Sequence, residues 1–179
     1  MTRRRAALLT AGTVAVLALT FGLVWFQPWK LVVDDKVNEA LPAVATETRL
    51  ATSSATASAP RATDVLLSRG SFISHEHATR GVVSVVRKAD GTRVLAIANL
   101  HTSNGPLLKV WLTDQRVSKD GWHVFDDGKY LNLGGLKGNI GNQVYAIPPS
   151  ADLTVLRSVT IWCDRFDVSF GAAELSPVG

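Results

Sequence analysis

From Gly70 to the end of the chain, apolar and polar positions alternate in short runs divided by glycine, proline, asparagine and aspartate. GSFIS opens the series at Gly70. GVVSVVRK (81–88) and RVLAIANL (93–100) follow, separated by the four-residue turn ADGT with Asp90-Gly91 at its centre, a hairpin signature. LLKVWLT (107–113) sets Leu108, Val110 and Leu112 against Lys109, Trp111 and Thr113. KYLNL (129–133), NQVYAI (142–147), SVTIWC (158–163) and DVSFGAAEL (167–175) complete the set. No stretch here holds helical periodicity over ten residues. Seven or eight short strands with this punctuation predict an all-β domain of about 110 residues, an antiparallel β-sandwich or barrel.

The strand SVTIWC carries the only cysteine, Cys163. Successive side chains of a strand point to opposite faces. Cys163 therefore shares a face with Val159 and Ile161, and the core side is the expected one. Thr160, Trp162 and Asp164 take the other face.

The N-terminal pattern is different. Three arginines, Arg3 to Arg5, precede the uncharged run Ala6–Phe26, AALLTAGTVAVLALTFGLVWF. As a helix this run is about 31 Å long, close to the roughly 30 Å of a bilayer's hydrocarbon core. It predicts one transmembrane helix over 6–26, with Trp25 and Trp29 at the interface and the arginines inside. The run exceeds the apolar core of a signal peptide, and no small-x-small cleavage site closely follows it. The expected topology is a single-pass cell-membrane protein: residues 1–5 cytoplasmic, the C-terminal domain extracytoplasmic. Residues 27–65 read as a juxtamembrane segment and a linker. In it, TETRLATSSATASAPRATD is rich in Ala, Ser and Thr and holds too little apolar surface to offset its ordering entropy, so a flexible tether is expected. The β domain then occupies 66–179.

Charge excludes one class of function. The chain's net charge is +4, but from Leu66 onward there are twelve Lys/Arg and ten Asp/Glu. That near balance lacks the concentrated basic face that nucleic acid requires. A lone cysteine also permits no internal disulfide.

The candidate chemistry is sparse. The glycines Gly135, Gly138 and Gly141 follow neither a phosphate-binding nor a dinucleotide fingerprint, and read as turns between strands. No nucleophile elbow, H-E-x-x-H or c-type haem motif is present. The usual features of a blue-copper site are missing, since the only methionine is Met1 and no histidine closely follows Cys163. His75-Glu76-His77 sits at a strand start, and histidines two apart on a strand face the same way, which suits a metal. Exposed histidines are nevertheless common, and the plainer reading of these residues is a solvated loop. Cys163 is open to three roles: redox thiol, ligand to a metal or haem together with His77, or small core residue.

The motifs in order resemble the electron-transfer domain family called DM-thirteen. The match runs over about residues 66–176, through Phe72, His77 and Gly81; Asn104-Gly105-Pro106; Leu136-Lys137-Gly138; Gln143, Tyr145 and Pro148; and Trp162-Cys163-Asp164-Arg165-Phe166. The resemblance is to a membrane-anchored bacterial member. It implies electron transfer, with the cysteine acting as a bare thiol or as ligand to a prosthetic group such as haem. Only Cys163 and, less directly, His77 inherit that role, since His101 stands where an aromatic residue is expected. No cofactor is required by the sequence; a haem or a metal stays open. The expected function is a redox accessory module acting through Cys163, with an unidentified envelope redox or binding partner. The alternative is a non-catalytic envelope binding or scaffold domain in which Cys163 is a buried core residue.

Overall fold

A computed structural model of the chain describes residues 3–44 and 63–178. The tether expected over 46–64 lies almost wholly outside the described residues. One α-helix, α1 (Arg3–Phe26), precedes a short 3-10 turn, Pro28–Leu31. The rest is strand and turn: β1 (Lys36–Asn38), β2 (Val65–Ser71), β3 (Ile73–Ser74), β4 (Arg80–Arg87), β5 (Arg93–His101), β6 (Leu108–Thr113), β7 (Tyr130–Gly135), β8 (Ile140–Ile147), β9 (Ser158–Cys163), β10 (Val168–Glu174) and β11 (Ser176–Pro177). They form two sheets. One has the order β1-β8-β5-β4-β2-β11, the other β3-β10-β9-β6-β7. All pairings are antiparallel except β1 with β8.

The alternation seen in the sequence builds this sandwich. Val83, Val85, Leu95 and Ile97 of the first sheet face Val110, Leu112, Val159, Ile161 and Cys163 of the second in one core. The hairpin at Asp90-Gly91 closes with Lys88 N–H donating to the Thr92 carbonyl (2.7 Å). Asp90 accepts from the backbone and hydroxyl of Thr92 (2.9 and 2.6 Å). The outer face of β9 is covered as well. Trp162 packs there with Trp111, Phe125 and Ala172, beneath Val117 and Val124 of the β6–β7 connection. That is why all six residues of β9 are buried.

The segment that follows α1 is part of the sheet. Lys36, Val37 and Asn38 lie opposite Ile140, Gly141 and Asn142 of β8. Gly141 makes this approach feasible: its φ is +112°, and a Cβ there would overlap the Val37 carbonyl. Asn139 and Asn104 hold the preceding residues. The Asn139 carboxamide accepts from Asp35 N–H (2.7 Å) and donates to Asp34, and Asn104 donates to the Val33 carbonyl and to Asp35. Beyond β1, Glu39 accepts from Lys137 Nζ (2.8 Å) and from Val144 N–H (2.7 Å). The Lys137 hydrogen bond, above all, holds the Glu39 carboxyl below its ordinary pKa. Val44 and Asp64 form a parallel bridge. The chain therefore leaves the domain and re-enters it at neighbouring points, and residues 45–62 do not separate the domain from α1.

Candidate functional site at the helix–domain junction

Helix α1 is long and apolar enough to cross a membrane, and its large apolar side chains are exposed. A helix with these properties can serve as a membrane anchor or as a signal sequence. Its C-terminal end rests on the β9–β10 turn. Arg165 donates to the Trp25 carbonyl (2.9 Å) and lies over the Trp25 ring, 4.0 Å from its centroid. Phe26 stacks against Phe166 at 6.1 Å. This turn is tight: Phe166 N–H donates to the Cys163 carbonyl (3.2 Å), and Asp167 takes a left-handed φ of +49°.

Between the helix end and the domain lies a cavity of about 300 Å³. Its walls include Phe26, Pro28, Pro106, Phe166 and Phe170, with His77, Glu76 and Lys30 as the ionisable members. The size stands at the lower end of ordinary small-molecule sites, and the mostly apolar lining with few polar groups is typical of them.

His77 borders this cavity. Its ring lies 3.9 Å, centroid to centroid, from that of Phe170. Burial lowers its pKa, against an opposing pull from Glu76, and favours the neutral ring at neutral pH. Its backbone N–H donates to the Phe170 carbonyl. The Asn104-Gly105-Pro106 step also lines the cavity, and a Cβ on Gly105 would press on the Phe170 ring at 2.9 Å.

Cys163 does not line the cavity; it stands behind its wall. It is 0% exposed, and its thiol donates to the Pro106 carbonyl at 3.3 Å. It also pairs with Val168, and both Pro106 and Val168 border the cavity. Burial raises the thiol's pKa, only partly countered by the Arg165 and Phe166 backbone amides, so the reactive thiolate is disfavoured. Cys163 and His77 share a wall, not a bond. No group of three or more His, Cys, Asp or Glu side chains converges among the described residues. A haem ligated by Cys163 does not fit this arrangement: the sulfur is enclosed and bonded to protein. His77 is the imidazole among the residues that line the cavity.

The two histidines of the His75-Glu76-His77 stretch do not act as a pair. Residues 75–77 form a bend instead of an extended strand, so the period-two rule does not apply. His75 is buried beside Phe125, with ring centroids 5.7 Å apart. Its Nε2 lies 3.0 Å from the Ser118 carbonyl, which can only accept, so Nε2 carries the proton. Nδ1 then accepts from Ser169 Oγ (2.8 Å), which in turn accepts from Thr160 Oγ1 (2.8 Å). Both ring nitrogens are occupied and neither is free for a metal. Burial lowers this histidine's pKa too.

Several motif residues serve the framework. Gln143 and Tyr145 hold the Leu136-Lys137-Gly138 turn: Lys137 N–H donates to Gln143 Oε1 (3.1 Å), and the Tyr145 hydroxyl donates to the same oxygen (2.6 Å). Burial pushes the Tyr145 phenol up to about 12. Thr79 escaped sequence reasoning. Its hydroxyl meets Thr102 Oγ1 at 2.8 Å and lies 2.9 Å from the Phe170 carbonyl, binding the His77 bend to β10. In the sequence Phe170 is only one residue of the strand run DVSFGAAEL.

Comparison with curated proteins and with solved structures finds no match. A family model does match. Residues 71–175, from the end of β2 to the end of β10 and including the His77 bend, Pro106 and Cys163, fit the model described as Electron transfer DM13, and the chain belongs to that family.

Proposed function

We propose that this chain is an extracytoplasmic electron-transfer module held at the cell membrane by α1, whose redox group or partner is received in the cavity beside His77. One observation carries the reading. The cavity at the helix end brings together the two residues singled out in the sequence, His77 on its surface and Cys163 behind its wall. An apolar cavity with a neutral imidazole can hold a small redox-active group and exchange a proton with it. Cys163 then contributes a polarisable sulfur in the wall, not a free nucleophile. The arginines ahead of α1 favour a cytoplasmic N-terminus and an external domain.

A second reading has its own support. Cys163 lies wholly within the core, so the domain also suits a binding or scaffold role in the envelope with the sulfur as packing. The absorption spectrum and metal content of the full-length protein, isolated from membranes, separate the two. Under the first reading a chromophore or stoichiometric metal copurifies, and His77→Phe loses or shifts it while the fold persists. A colourless, metal-free protein in which His77→Phe and Cys163→Ser change neither partner reduction nor oxidation rates supports the second.

A further inference from the structure

On the outer face of the second sheet, three aromatic rings run in a stack from the domain interior to its surface. Trp162, on central strand β9, lies opposite Lys109 of β6; Tyr130, on edge strand β7, lies opposite Thr113. Trp111 stands two residues from each of these partners on β6. The three are thus diagonal neighbours on one face, the relation in which large cross-strand rings meet. Trp162 and Trp111 have centroids 5.1 Å apart and planes 24° apart; Trp111 and Tyr130 are 4.1 Å and 10° apart. Exposure rises along the stack from 1% at Trp162 through 6% at Trp111 to 49% at Tyr130. Trp162 also adjoins Cys163 in sequence, with its ring on the opposite face of β9.

Two further observations separate this stack from ordinary packing. The indole Nε1 of Trp111 is the only buried side-chain nitrogen or oxygen without a hydrogen-bond partner among the described residues. Such a group is costly in a folded interior and calls for a reason. Trp122, by contrast, donates its indole proton to the Lys119 carbonyl (2.8 Å). The exposed end, Tyr130, borders a surface hollow of about 510 Å³ formed by residues 128–131 with Ser150, Ala151, Asp152, Val155 and Leu156.

We infer that Trp162, Trp111 and Tyr130 form a one-electron relay between the interior of the domain and a docking hollow at Tyr130. This rests on the electron-transfer reading above. An oxidised indole is a radical cation that becomes a neutral radical only by passing its N–H proton to an acceptor. Trp111 has none, so its oxidised form keeps the proton and draws an electron from the neighbouring ring. Tyr130 meets water and can release its phenolic proton there. When a one-electron oxidant of the radical class, strong enough to oxidise an indole, takes an electron from Trp162, the vacancy is filled from Trp111 and that of Trp111 from Tyr130, leaving the oxidant reduced by one electron, a tyrosyl radical and one proton in solvent. A one-electron, one-hydrogen donor of the phenol or ascorbate class, seated in the hollow, restores the phenol by giving up a hydrogen atom. Overall, the oxidant gains one electron, one donor molecule becomes a radical and one proton passes to solvent, while the three rings return to their starting states.

Pulse radiolysis of the full-length protein with the azide radical, which oxidises indoles, tests the relay. It should be run in the Cys163→Ser background, so that the outcome does not depend on what the cysteine does. The indolyl absorption should decay as tyrosyl absorption rises, with a first-order rate independent of protein concentration. Tyr130→Phe, a change at a half-exposed ring, should abolish the tyrosyl signal and leave the indolyl radical long-lived. Trp111→Phe keeps an aromatic ring but removes the oxidisable one, and should eliminate the fast phase. Near-ultraviolet circular dichroism of each variant confirms that the cluster stays packed. A tyrosyl signal that persists in Tyr130→Phe, or an unchanged rate in Trp111→Phe, overturns the relay. Neither result bears on whether His77 or Cys163 serves a redox group at the cavity.

Discussion

Gly141→Ala isolates the contact that joins the segment after α1 to the domain. Gly141 has φ +112°, a conformation in which an L side chain is strained, and its alanine Cβ would collide with the Val37 carbonyl. Holding a non-glycine residue in such a backbone region costs about 1–3 kcal/mol. The collision has no flexible side chain to absorb it, because the obstructing atom belongs to the backbone. The chain can escape only by moving β1 away. Doing so gives up part of the three-residue ladder at about 0.5–1.5 kcal/mol per net hydrogen bond. Together these place the cost at about 2–4 kcal/mol, which for a chain of this size lowers Tm by roughly 5–15 °C. Gly91→Ala is the control. Gly91 also has a positive φ, +84°, but a Cβ there meets nothing. It should show the backbone strain alone. Thermal unfolding followed by circular dichroism gives the stability difference, and hydrogen exchange of the amides of Lys36 to Glu39 reports on β1. Gly141→Ala should lose protection there and Gly91→Ala should keep it. Equal Tm losses in the two variants, or retained protection of 36–39 in Gly141→Ala, would refute the close-approach argument.

Other outcomes follow from the same contacts. A chain starting at Ala62 lacks β1, bares the edge of β8 and removes the partners of Asn104 and Asn139; it should melt several degrees below the full chain, and an unchanged Tm would mean that β1 adds nothing. Cys163 is reached only through opening of the domain, so a thiol reagent should label the native protein at least about a thousandfold more slowly than the unfolded chain. Rapid native labelling would show that the wall at Pro106 opens. Burial depresses the pKa of His75 below 6.5, so the unfolded chain binds more protons than the folded one between those two values. Stability should therefore fall as pH drops through 6.5 and level off below the folded pKa; a His75→Gln variant whose pH dependence in this window matches the parent's would remove His75 from that account.

The strands and the placement of Cys163 were legible because a period of two is a strong signal wherever one face is buried. Val159, Ile161 and Cys163 share a parity, and all three are core residues. Alternation carries no such information about β1. Lys-Val-Asn has no apolar stripe; it is held by backbone ladder bonds, and the residues just before it by asparagines some seventy and one hundred residues away. The reading of His75 and His77 as neighbours on one face failed because the chain bends there, and parity holds only for extended backbone. The aromatic stack was invisible for another reason. Its members lie on three strands whose order in the sheet, β9-β6-β7, differs from their order in the chain. Cys163 stood out as the sole cysteine and His77 as part of the His-Glu-His stretch, and the resemblance then joined the two, while the wall they share depends on Phe170 and Pro106, ordinary residues until the fold brings them together.

The bridge between Val44 and Asp64 has a consequence for the reach of the domain. The segment 45–62 starts and ends on the same body, so its length is uncoupled from the distance between helix and sandwich. Its two ends stay fixed at Val44 and Asp64 whatever lies between them. Spacing is set instead by the residues between Phe26 and Lys36, which even fully extended span only about 30–36 Å. Evolution or an engineer could thus vary the long segment freely in size and sequence without moving the sandwich, whereas an insertion of a few residues before Lys36 would separate the helix end from the cavity it helps to wall.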